Sequence, residues 1–180
     1  GTVIENGVIT VVADAGTSHD VSVVAVSIND QPTIAARTAP FTLNFQAIAA
    51  LGKPGDRVKV SALATDTSGN RSTVPAVLFV PIVADTPPVI TLSVTGPVPG
   101  TVFHTGDRVT VTVHVTDDMG ATEVAYRAQT GHPQDAGTQA IAPASLDATR
   151  TFAFSIAADA APGSPIAISA SAVDTKGQVT

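Results

Sequence analysis

The chain has no cysteine and no tryptophan in 180 residues, and only one tyrosine. Without cysteine there can be neither disulfide staples nor a thiolate-bound metal, and the redox compartment leaves no trace in the sequence. Aromatics make up 4% and hydrophobic residues 44%, so any core has to be built from Val, Ile, Leu and Ala. Charged residues are scarce at 13%, with a net charge of −6, which offers nothing to a phosphate backbone, argues against nucleic-acid binding and disfavours anionic membrane surfaces. No apolar run approaches the roughly 20 residues of a spanning helix. The N-terminus also lacks the basic and apolar regions of a signal peptide, so an export signal or anchor is expected outside this segment.

What the chain does have is repetition. Asp66-Thr67-Ser68-Gly69-Asn70 follows an alternating stretch at 58–65, and Asp174-Thr175-Lys176-Gly177-Gln178 follows a matching one at 166–173. Gly1-Thr2-Val3 returns as Gly100-Thr101-Val102, and Val12-Ala13-Asp14 as Val115-Thr116-Asp117. A period of about 100 residues is that of whole domains rather than solenoid units. The expected division is a first repeat at 1–84 and a second at 85–180.

Within the second copy, Val109, Val111, Val113 and Val115 alternate with Thr110, Thr112, His114 and Thr116. Period 2 with β-branched residues predicts a half-buried strand. The same alternation runs through Ile90, Leu92 and Val94, through Phe152, Phe154 and Ile156, and through Ile166, Ile168, Ala170 and Ala172, each predicting one buried face. Turn pairs such as Gly96-Pro97, Pro99-Gly100 and Pro162-Gly163 separate these runs. Helix is confined to single turns at 47–51 and 157–161, because Gly and Pro follow too closely.

The pattern predicts two tandem immunoglobulin-like antiparallel β-sandwiches. In the first, B is expected at 8–13, C at 20–28, E at 41–47, F at 57–65 and G at 74–83, with only a stub of A. In the second, A is expected at 89–94, B at 108–116, C at 123–129, E at 151–157 and F at 165–173. Residues 130–150 form an unassigned crossover, and strand G is missing. The missing strands are expected either from a longer chain or from neighbouring subunits by strand exchange. Pro87 and Pro88 fix φ at the junction, so the pair is expected to be stiff.

Asp85-Thr86-Pro87-Pro88 before strand A, the Asp117-Asp118 turn after strand B, and Ala64-Thr65-Asp66-Thr67-Ser68-Gly69-Asn70 after strand F together resemble the tandem bacterial immunoglobulin-like, cadherin-like repeats of large surface proteins and adhesins. The resemblance covers the chain. It implies a non-catalytic extracellular or cell-surface segment, a stiff spacer or fibre-building module whose partners are further repeats or neighbouring copies of itself. The alternatives are a module that binds a host protein or glycan through its B–C and F–G loops, and an accessory domain of a secreted hydrolase. Few charges on the Thr-, Ser- and Ala-covered outer faces suit lateral packing.

In this fold the start of A and the B–C and F–G loops share one end, which brings Asp85, Asp117, Asp118 and Asp174 within reach of one another. Calcium takes six to eight oxygens, so these four are candidate calcium ligands. The equivalent group in the first copy is Asp14 and Asp66, with Asp20 matching Glu123. Against this stands the ordinary use of Asp to cap its own turn. His19, His104, His114 and His132 have no acidic partner at ligand spacing and read as surface residues, and no nucleophile–base motif is present. Of the aromatic rings, only Phe79, Phe103 and Tyr126 lie off the apolar alternation as candidates for stacking on a sugar.

Overall fold

Alternating Val, Ile and Phe become strands throughout the computed structural model of the chain, which describes residues 1–14, 20–31, 34–46, 51–96, 102–129 and 133–180. The backbone separates into two units, Gly1–Asp85 and Thr86–Thr180.

The first unit contains β1 (Val3–Ile4), β2 (Val8–Ala13), β3 (Val21–Ile28), β4 (Ile34–Ala36), β5 (Phe41–Gln46), β6 (Arg57–Asp66) and β7 (Ala76–Val83). β2 pairs with β5, and a five-stranded sheet runs β1-β7-β6-β3-β4. Ile9 and Phe41 meet Val24, Val26, Ile28, Val58, Val60, Val80 and Ile82 between the layers. The stub at the start pairs parallel to β7, through Val3 with Ile82 and Ile4 with Val83. β4, three residues beside β3, was not expected, because Ile34-Ala35-Ala36 is too short to show a period.

The second unit contains β8 (Val89–Thr95), β9 (Arg108–Gln129), β10 (Pro133–Ser155) and β11 (Ala167–Asp174). Two expectations are corrected here. B and C are not separate strands joined by a turn but one 22-residue strand, β9. The unassigned crossover at 130–150 is mostly strand as well, within the 23 residues of β10. The first half of β9 pairs with β8 and with the end of β10, and the second half pairs with β11 and with the start of β10. Each long strand therefore passes from one layer to the other at a bulge, which re-aims a strand without ending it. In β9 the bend falls at 117–120. There the Asp117 carboxylate accepts the N–H groups of Met119 and Gly120 at 3.0 and 2.5 Å, and Gly120 takes a φ of 101°.

Val109, Val111, Val113 and Val115 are completely buried, packed with Phe152, Phe154 and Ile156. The expectation that β8 buries its apolar face is corrected, since Leu92 and Val94 are 38% and 45% exposed. Beyond β11 the described residues hold only an isolated bridge, Val173 to Val179. An open groove of about 790 Å³ is lined by Val94, Phe103, Val109, Ile156, Ile166 and Ile168. Residues 157–161 form a turn closed by the Ala160 N–H on Ala157 O at 3.1 Å, rather than a helical turn. Its counterpart at 47–50 lies outside the described residues, as does the Pro99-Gly100 turn.

Tyr126 is a core residue, which corrects its place among the candidate sugar-stacking rings. It is 5% exposed, with its ring centroid 4.4 Å from that of Phe152 and 6.4 Å from that of Phe154. Gly137 lies opposite it in register, where a Cβ would stand 2.9 Å from Tyr126 Cε1. Gly137→Ala is accordingly expected to lower the stability of the second unit by about 1–2 kcal/mol through overpacking, read by calorimetry as a fall of several degrees in that unit's midpoint. An unchanged midpoint would show that the ring yields freely.

Candidate functional site

The chemistry-bearing residues of the second unit gather where β9 bends and β11 ends. Asp174 pairs with Ala121 across a register shift. The Thr175 N–H donates to Gly120 O at 3.0 Å, and Thr122 Oγ1 donates to the carbonyls of Val173 and Asp174 at 3.0 and 3.1 Å. These bonds hold segments 117–122 and 173–178 side by side, as the placement of Asp117, Asp118 and Asp174 at one end required.

Each of these three carboxylates uses one oxygen. Asp117 Oδ2 caps the β9 bend, Asp118 Oδ2 accepts from Thr86 Oγ1 at 2.9 Å, and Asp174 Oδ1 accepts the N–H groups of Lys176 and Gln178 at 2.6 and 2.9 Å. The other oxygens, Asp117 Oδ1, Asp118 Oδ1 and Asp174 Oδ2, are buried and accept no hydrogen bond from the described residues. Asp174 as a whole is only 3% exposed. A buried acceptor left unpaired costs about 1–3 kcal/mol, and more when it is charged. Burial pushes the Asp117 carboxyl above the ordinary aspartate value; the Met119 and Gly120 N–H groups oppose that shift, and the charges of Asp174 and Asp118 add to it. Asp85 closes the first unit and is partly buried.

The first unit repeats the scaffold but not the chemistry. Ser22 Oγ donates to the carbonyls of Thr65 and Asp66 at 3.1 and 2.8 Å, and the Thr67 N–H reaches Asp20 O at 2.8 Å. Ser22 is thus the counterpart of Thr122, and Asp20 occupies the place of Gly120 rather than Glu123. Asp66 Oδ1 accepts from the N–H groups of Ser68 and Asn70, and its Oδ2 accepts from Asn70 Nδ2, all at 2.8 Å. The Asn70 amide, followed by these backbone donors, holds the Asp66 carboxyl below its ordinary value. Asp14 lies exposed just past β2. Sequence reading missed the Ser22 and Thr122 hydroxyls. Their signal was a hydroxyl residue at equivalent positions of both copies.

Among the described residues no three His, Cys, Asp or Glu groups are drawn together as closely as a bound metal would hold them. Two histidines do have acidic neighbours, correcting the expectation of none. His114 Nε2 lies 3.0 Å from Asp147 Oδ1 because β9 and β10 pair there, and His104 Nδ1 lies 3.6 Å from Asp107. Both imidazoles are solvent-exposed, and such surface pairs contribute about 1 kcal/mol or less. His19 and His132 lie outside the described residues. No helix among the described residues is long and apolar enough to cross a membrane.

A comparison with curated proteins finds no match. Among solved structures the chain is similar to the fibronectin(III)-like modules of Clostridium thermocellum CbhA, at 19% identity and a TM-score of 0.38, over 99% of this chain and 83% of that one. The resemblance to bacterial immunoglobulin-like repeats is borne out in the second unit, where residues 91–161 match the family described as a bacterial Ig domain.

Proposed function

We propose that this segment is a mechanical one: a pair of immunoglobulin-like repeats from a long extracellular or surface protein, acting as a stiff spacer or fibre-building module without chemistry of its own. The observation that carries the reading is the serial arrangement of two units that share one scaffold, down to the hydroxyl stitch of Ser22 in one and Thr122 in the other. The next residues after the unit boundary include Pro87 and Pro88, which restrict rotation at the junction. Its partners on this reading are further repeats of the same kind.

Solution scattering tests the stiffness. A 180-residue chain collapsed into one globule has a radius of gyration of about 16 Å, whereas two units of that size held end to end exceed about 20 Å. The extended value, unchanged between low and moderate salt, supports the spacer. A compact value, or one that drifts with salt as a flexible tether does, overturns it.

A further inference from the structure

We propose that two copies of this chain join through the first unit, their β7 strands pairing antiparallel about Leu78 so that two five-stranded sheets become one. This joint rests on the mechanical reading and deepens it, because it names the surface through which copies of the module associate. β6 pairs with β7 from Ala76 to Pro81, but on the other side β1 reaches only Ile82 and Val83. Among the described residues no strand pairs with the outer side of 76–81. Ile82 turns both backbone groups toward β6, accepting from the Gly55 N–H at 3.0 Å and donating to Asp56 O at 2.9 Å, whereas Val83 O accepts from the Glu5 N–H on the β1 side. Successive residues of a paired strand alternate in this way. Val77 and Phe79 therefore present their N–H and C=O groups outward, in phase with Val83. Pro75 and Pro81 share that phase and have no N–H to present.

The side chains along this edge are apolar and uncovered on both faces. Val77 and Phe79, on the outer face, are 47% and 57% exposed; Leu78 shares the inner face with the buried Val80 and Ile82, yet is 61% exposed. Leu78 also borders an open groove of about 460 Å³, lined by Val11, Val24, Val60 and Ala62. Residues 72–84 carry no charge, so the net charge of −6 lies elsewhere and does not set like charges against each other at this edge. Exposed edges are ordinarily guarded by charge or by shortness. β4, at the far edge of the same sheet, has three residues; β7 has eight.

The edge is complementary to itself, as a two-fold contact requires. Pairing about Leu78 sets Val77 against the partner's Phe79 and Phe79 against the partner's Val77, so all four outward N–H and C=O pairs are used. Centring on Val77 or Phe79 instead sets the other of the two against a proline of the partner, which has no donor to give. The chosen register also makes two aromatic–β-branched pairs on the outer face, and it brings the two Leu78 side chains together on the inner face, where the groove of each copy opens. With Val74, these side chains offer about 400 Å² of apolar surface per copy, the size at which a patch on a monomer marks an interaction site. Two such patches with their backbone edges bury about 1,000 Å², the low end of specific interfaces, which fits reversible association rather than a permanent dimer.

Sedimentation of the whole 180-residue chain from ~10 μM to ~1 mM is expected to show a monomer–dimer equilibrium. As the dimer fills, the amides of Val77 and Phe79 should become protected from hydrogen exchange, while that of Leu78, already turned toward β6, stays as it was. Val77→Lys and Phe79→Glu, both at exposed positions, should each weaken association at least about tenfold, with the thermal midpoint of the first unit checking that each variant is folded. An equimolar mixture of the two variants should associate again, because the register sets the introduced lysine against the partner's introduced glutamate and leaves Phe79 against the partner's Val77. A monomer throughout the concentration range overturns the proposal. So does a dimer that persists in both variants, one that the mixture fails to restore, or one that leaves the Val77 and Phe79 amides unchanged. Scattering from the dilute monomer reports stiffness alone, so a flexible chain that dimerises and a stiff chain that does not are told apart.

Discussion

A chain carrying Val113→Asp is expected to lose its second unit and keep its first. Val113 has no exposed surface and lies in the middle of β9, hydrogen-bonded between β8 and β10 opposite Leu92 and Arg150. Removing the valine forfeits about 1.5–3 kcal/mol of burial. The carboxylate that replaces it must either stay charged in an apolar layer or take up a proton. At neutral pH the proton uptake costs about 4 kcal/mol, because pH 7 lies roughly three units above the ordinary aspartate value at about 1.4 kcal/mol per unit. Together with the lost burial this reaches the lower part of the stability of an ordinary small domain, about 5–15 kcal/mol. In a ¹H–¹⁵N spectrum the amides of β9, β10 and β11 should collapse to the narrow dispersion of an unfolded chain, and those of β3, β6 and β7 should stay in place. If the first unit's signals collapsed as well, the two units could not be independent folding bodies.

The second large effect is alkaline. Tyr126 has its hydroxyl pushed up to about 12, first by burial, then by its hydrogen bond to Asp135 and by that carboxylate's charge. The unfolded chain releases the same proton near pH 10. Below about pH 10 both states hold the proton, so the advantage of the neutral, buried phenol is fully present. Between about 10 and 12 the unfolded state alone gives it up, and stability falls by about 1.4 kcal/mol per pH unit, roughly 2–3 kcal/mol in all. Above that window the loss is complete. Because the chain has one tyrosine and no tryptophan, tyrosinate absorbance reports this single group directly. Denaturant midpoints measured from pH 8 upward should diverge between the native chain and Tyr126→Phe, the native chain losing more. Parallel curves would place the phenol in water.

Tyr126 also shows where sequence reading stops. It looked like a surface ring because it stands outside the Phe152–Phe154 alternation, and its burial depends on Gly137, in a segment whose strand character was hidden. That segment mixes Gly, Ala, Asp, Thr and Gln, so 133–142 carries no apolar period to count. The all-valine face of β9 was legible because each buried position is β-branched and every alternate one polar. Apart from β4, the strands of the first unit can be read to within two residues for the same reason. The bend at 117–120 was misread as a chain reversal. Asp-Asp-Met-Gly is the composition of a turn, and only the pairing of both flanks with β10 shows that the strand continues. At the candidate site, repetition alone matched Asp66 with Asp174 and Asp14 with Asp117. It could not show that Asn70 and Gln178, which differ by one methylene, leave their aspartates in opposite states of satisfaction.

The passage of β9 and β10 through both layers governs how the second unit comes apart. In a sandwich whose strands each belong to one layer, a layer can be peeled away while its neighbour holds. Here the backbone on one side of each bulge is the anchor for the other side, so detaching either layer drags the paired strand out of register across the whole unit. Partial opening is therefore expected first at the short edge strands, β8 and β11, whereas β10, although also an edge, is held to β9 along nearly its whole length, and the slowest hydrogen exchange should lie along the β9–β10 ladder, where amides are released only by global unfolding. For a link under tension, that makes failure an all-or-nothing event.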